Sequence, residues 1–107
     1  MALPADKSKP VDGETSTGTT AITNPQNYHK HQFGCLATGT TSVTAEWSND
    51  GSNWFKAADA VSLTASATND TIYLDGVFPQ LRLSYTVTSG AVSVWMVQSD
   101  TNTTGAR

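Results

Sequence analysis

A second cysteine is absent: Cys35 stands alone in 107 residues, which excludes any disulfide within the chain. Charge is also scarce, at 14% of residues with a net of −3. The six lysines and arginines are scattered from Lys7 to Arg107 and form no basic run. A general nucleic-acid binder needs such a patch to displace counterions from phosphates, so nucleic acid is not an expected partner. No apolar run approaches the roughly 20 residues that span a bilayer, and Met-Ala-Leu-Pro-Ala-Asp at the start has neither the basic nor the apolar part of a secretory signal. Phosphate loops, dinucleotide fingerprints and hydrolase elbows are missing. The carboxylates fall singly along the chain, and no spacing marks a catalytic pair. No enzyme activity and no cofactor is expected.

What fills the chain instead is threonine, seventeen in all, with serine, asparagine and glycine. Threonine alternating with apolar residues suits a pleated, half-buried surface, so the composition is that of an all-β protein with polar, uncharged faces. Ser42–Lys56 shows it most clearly. Val43, Ala45 and Trp47 alternate with Thr44, Glu46 and Ser48, the period of two that a strand with one buried face requires. Asn49-Asp50-Gly51 then supplies residues that tolerate the left-handed backbone of a tight reversal. A second hairpin follows: Leu81, Leu83, Tyr85 and Val87 share a face over 80–88, Ser89-Gly90 turns the chain, and 91–98 returns with Val92, Val94 and Met96 on one side and Trp95 and Val97 on the other. Shorter strands are predicted near 32–38, 53–57, 61–65 and 71–75. About seven strands with turns every ten residues or so predict a small antiparallel β-sandwich, jelly-roll or immunoglobulin-like, a choice that spacing alone leaves open.

Residues 1–27 differ in texture. Three of four prolines lie here, and Leu3, Val11 and Ile22 are isolated apolar residues in a polar strip. Such a segment buries too little surface by itself to offset its ordering entropy. It is predicted to be an extended N-terminal arm that orders against a neighbour, followed by a sandwich over 28–99 and a flexible tail over 100–107. Low charge leaves sheet edges poorly guarded against pairing with another chain, so a partner surface is expected. Leu3, Val11 and Ile22 on the arm and Trp95 and Val97 on the last strand are the candidate interface residues.

Two other groups could carry chemistry. His29 and His31 lie two apart on a predicted strand, but two imidazoles without a nearby carboxylate do not make a metal site. Cys35 sits in the apolar run Phe33–Ala37 and reads as a buried structural thiol. Asn49, Asn53, Trp54 and Tyr73 form the alternative candidate, a sugar-binding platform around an exposed ring.

Ala45-Glu-Trp-Ser-Asn-Asp-Gly-Ser-Asn-Trp54 resembles a hairpin of many small β-sandwich proteins of tailed bacteriophages, and Phe78–Trp95 resembles the closing hairpin of the same group. Together they cover roughly half of the chain. The resemblance implies a non-enzymatic virion part, such as a capsid decoration (cement) protein. It further implies a homotrimer with the major capsid protein as partner, located in the virion after synthesis in the host cytoplasm. The run Ser48–Trp54 is also similar to part of discoidin-type carbohydrate- or lipid-binding domains. Those are longer and usually closed by a disulfide, and this chain lacks both features. The second functional expectation, resting on Trp54 with Asn49, Asn53 and Tyr73, is a carbohydrate-binding module, displayed on a virion or free.

Overall fold

The computed structural model describes residues 6–100. The chain runs β1 (Asp6–Glu14), β2 (Gly18–Ala21), a 3₁₀ turn (Pro25–Asn27), β3 (Lys30–Ala37), β4 (Thr41–Ser48), β5 (Phe55–Lys56), β6 (Val61–Leu63), β7 (Asn69–Asp75), β8 (Gln80–Val87) and β9 (Val92–Ser99). One sheet has the order β1-β9-β3-β7 and the other β2-β8-β4-β5, with β6 also on β4. Every pairing is antiparallel. β5 pairs with Glu46 and Trp47 while β6 pairs with Thr41, Ser42 and Val43, so the two continue one interrupted edge strand beside β4. Counted that way, the chain crosses between two four-stranded sheets at every step except β4 to β5–β6, in jelly-roll order, which decides between the two wirings that the sequence left open.

The alternating pattern places the core as expected. Val92, Val94 and Met96 of β9 and Leu81, Leu83 and Tyr85 of β8 belong to one buried core cluster, with Phe33 and Val43 fully buried in it. Cys35 is buried among them. Trp47 is half-buried at the end of its strand, packed on the core and 5.1 Å from the Phe55 ring. Both predicted turns need glycine: Gly51 has φ 79° and Gly90 has φ 72°. A Cβ at Gly90 would also lie 2.7 Å from the backbone nitrogen of Gly39.

The arm expectation is corrected for residues 6–27. β1 pairs with β9 from Asp6 opposite Gln98 to Glu14 opposite Val92, and β2 pairs with β8 from Gly18 opposite Tyr85 to Ala21 opposite Arg82. Val11 and Ile22 are buried in this chain's own core, not offered to a neighbour. Sequence periodicity hides these strands for a physical reason. Each is an edge strand held mainly by backbone hydrogen bonds, and each sends few apolar side chains inward. β1 also breaks its alternation with register shifts on either side of Val11, and it carries Pro10, which an edge strand tolerates. Leu3 and the tail beyond Asp100 lie outside the described residues.

Candidate functional site on the outer face of the four-stranded sheet

Of the interface candidates on β9, Trp95 and Val97 are exposed, at 46% and 37%. Their neighbours Val94, Met96 and Gln98 point into the core, so the period of two that buries the latter turns Trp95 and Val97 outward. Register defines the surface they belong to. Val97 lies opposite Lys7 on one side and Gln32 on the other, and Gln32 in turn lies opposite Tyr73. One row along, Trp95 lies opposite Gly34, and Gly34 lies opposite Thr71. Tyr73 is 70% exposed, and Leu36 on β3 adds a further exposed apolar group.

The outer face of β3 carries Gln32, Gly34 and Leu36 between these neighbours, and the gap at Gly34 makes a shallow trough there. Gly34 contributes no side chain to its floor, and a Cβ built there meets nothing within 4 Å. Trp95 and Val97 stand on one side, Thr71 and Tyr73 on the other. A depression of about 420 Å³ lies in the Gln32 row, lined by Lys30, Gln32, Tyr73, Asp75, Val97 and Ser99, and Trp95 and Gly34 stand one row beyond it. Lys9 covers part of Trp95 from the β1 side, its Nζ 4.5 Å from the ring centroid. Two of the lysines on this face are paired: Lys30 Nζ donates to Asp75 Oδ1 at 2.8 Å, and Lys9 Nζ lies 2.8 Å from Asp12 Oδ1, whereas Lys7, opposite Val97 on β1, is in no ion pair among the described residues. The Gln32 amide makes no hydrogen bond among the described residues.

The sugar-platform candidates are not brought together. Asn49, Asn53 and Trp54 line a separate depression of about 430 Å³ at the β4–β5 turn, with Asp50, Ser52 and Phe55. Tyr73 belongs to the other sheet. The polar groups of the turn are spent on the turn itself. The backbone N–H groups of Ser52 and Asn53 and the Asn53 amide all donate to the Asp50 carboxylate at 2.8 Å. Those bonds, led by the Asn53 backbone N–H, hold the Asp50 carboxyl well below the usual carboxylate range. One face of Trp54 carries the Arg82 guanidinium, 4.1 Å from the ring centroid, and Arg82 Nε donates to Glu46 Oε1 at 2.8 Å. That arrangement builds a stiff loop and leaves Trp54 half-buried.

No group of three or more metal-ligating side chains occurs among the described residues. His29 and His31 serve different partners: His29 Nδ1 is 2.7 Å from Asp100 Oδ1, while buried His31 faces Gln98 Oε1 and the Gly76 carbonyl. Burial, then the charge of Asp70, push the Cys35 thiol up to about 12, so it is no nucleophile at neutral pH. Of the trough residues, Trp95, Val97 and Tyr73 were legible as candidates. Gln32 and Gly34 were not, because only strand register shows that they lie between them.

No family model matches this chain, and no curated protein sequence does. Solved structures do. SPBc2 prophage-derived protein YomS superposes with a TM-score of 0.68 at 10% identity, over 91% of this chain and 96% of that one. PBSX exported protein XepA superposes with a TM-score of 0.58 at 14% identity, over 89% of this chain but 36% of that one. A mutant family 29 carbohydrate-binding module fits more loosely, with a TM-score of 0.42 at 12% identity. At these identities the first two likenesses establish a shared β-sandwich fold and nothing beyond it.

Proposed function

We propose that this chain is a non-enzymatic structural component of a bacteriophage particle, of the capsid decoration kind. One observation carries most of the weight: a prophage-derived protein of nearly the same extent shares the fold from end to end. The second prophage-named neighbour fits the same reading, with the fold there occupying part of a longer chain. The chemistry agrees with it. The described residues hold a jelly roll, a turn whose polar groups satisfy one another, and a buried thiol whose pKa is raised by that burial. In this reading the body attaches to a lattice of major capsid protein as a homotrimer. Many copies on one lattice gain avidity from individually modest contacts.

The test is co-purification. Particles of the phage that encodes the chain are banded by density and their proteins quantified by mass spectrometry. The expected result is this chain in the particle band at a fixed ratio to the major capsid protein. Recovery only from the soluble fraction overturns the proposal. Recovery at a few copies per particle overturns the decoration reading while keeping the structural one.

A further inference from the structure

We infer that the trough along β3 is a binding site for a neutral glycan, with Trp95 and Tyr73 as its two stacking surfaces and Gln32 as its central hydrogen-bonding group. The inference stands on this face alone and does not depend on where the chain resides.

Three features point to a sugar. The first is the pair of exposed rings. Trp95 and Tyr73 stand two strands apart and one row out of step, which puts their Cα atoms roughly 12 Å apart given strand spacings of about 4.8 Å and a rise of about 3.4 Å per residue. Two rings so placed can each meet the C–H face of a different sugar unit on one chain. The negative π-face of an aromatic ring favours such C–H groups. The second is the floor. Gly34 opens space beside Trp95, and Lys9 backs the ring from the β1 side. An exposed tryptophan beside an unfilled position offers a slot for a flat, weakly polar group.

The third is charge. Lys9, over the Trp95 ring, and Lys30 are matched by the carboxylates of Asp12 and Asp75, and the unmatched Lys7 stands on β1, outside the strip between the two rings. With those charges neutralised, what the trough offers is apolar ring faces and a free amide, the complement of hydroxyls on a neutral ring. Phosphate or a uronic acid would call for unpaired cations inside the trough. A protein partner, including a second copy, would bury a more continuous apolar patch, whereas here Gln32, Lys30, Ser93 and Thr71 interleave with the apolar residues.

The experiment is affinity electrophoresis of the full chain in native gels containing hydroxyethylcellulose, galactomannan or dextran, with light scattering on the same samples. The expected result is retardation by at least one of the three. Trp95→Ala and Tyr73→Ala should each weaken it by about tenfold or more. Gly34→Val should weaken it similarly while leaving the circular dichroism spectrum and urea midpoint unchanged, because the added side chain enters open space. Trp54→Ala should keep full retardation. No retardation in any gel overturns the inference, as does retardation that survives Trp95→Ala and Gly34→Val or is lost only in Trp54→Ala. A stable dimer or trimer that Trp95→Ala dissociates also overturns it, since the face would then be covered by a second copy.

Discussion

Gln98 and His31 face each other inside the sandwich, the amide oxygen 2.8 Å from the imidazole Nδ1, and both are almost completely shielded from solvent. The pair is the middle of a longer chain of contacts. His31 Nε2 lies 3.0 Å from the Gly76 carbonyl, and Gln98 Nε2 donates to the Thr23 carbonyl at 3.0 Å. Two central strands thereby tie the β7–β8 connection to the segment after β2, closing one end of the jelly roll with polar groups where most of the interior is apolar. The Phe78 ring packs edge-on against His31, 5.5 Å away. Gln98→Leu keeps the volume and removes both bonds, leaving a buried imidazole nitrogen and a carbonyl without partners. The expected cost is about 1–3 kcal/mol. A shift in the urea midpoint at constant slope measures it. A change within about 0.5 kcal/mol, as at an ordinary surface site, would show that the network does not hold the end closed.

Thr41 gives the opposite sign. It is buried at the start of β4, and its Oγ1 has no hydrogen-bond partner. A buried hydroxyl without a partner costs folding free energy that a methyl group in its place does not. Thr41→Val keeps the β-branched shape that suits a strand. It should stabilise the protein by about 1 kcal/mol, read from thermal or urea denaturation. A loss of stability would mean that the hydroxyl is satisfied in solution.

The β4–β5 turn should weaken in acid. The carboxyl of Asp50 is held below its ordinary range in the folded protein by N–H donors from Asn53 and Ser52. A group lowered on folding contributes stability that is present above its unfolded pKa of about 3.9 and is lost as pH falls through the folded value. The turn therefore keeps its order at neutral pH and gives it up well below pH 4. Amide exchange at Ser52 and Asn53, followed by NMR between pH 7 and pH 2, should show protection lost at the acid end. Asp50→Ala should show that loss already at pH 7. Equal protection in the variant would mean that the backbone alone sets the loop.

The sandwich was legible wherever alternation is strong. Leu81, Leu83 and Tyr85 read as one buried face, and Val94 and Met96 as another, because each strand is central and packs one full face. Trp95 was legible as an outward residue for the same reason. The first two strands were not, since Val11 is the single buried residue of β1 and β2 has none. The trough escaped too. A sequence gives the face of a residue within its strand, but not which strands stand side by side, and β3 lies between β7 and β9 only through jelly-roll wiring. Trp54 misled in the other direction: a ring after a turn looks exposed, and only coordinates place Arg82 on it.

The edge strands carry the last prediction. An arm that orders only on a neighbour can be removed without harm to the body, whereas strands inside both sheets cannot. Deleting residues 1–27 takes away β1 and β2, uncovers the backbone edges of β9 and β8, and strips Val11 and Ile22 from the core. The bared β9 edge is long and apolar on both faces, the kind of edge that pairs with another chain. The truncated protein should therefore be insoluble or unfolded by circular dichroism, not a folded sandwich lacking an attachment. A milder variant separates packing from strand pairing: Val11→Ala keeps β1 and removes only buried methyl groups, at a cost of about 2 kcal/mol. A soluble, cooperatively folding fragment over 28–107 would show that the first two strands dock late and contribute little, restoring the arm as a separate unit.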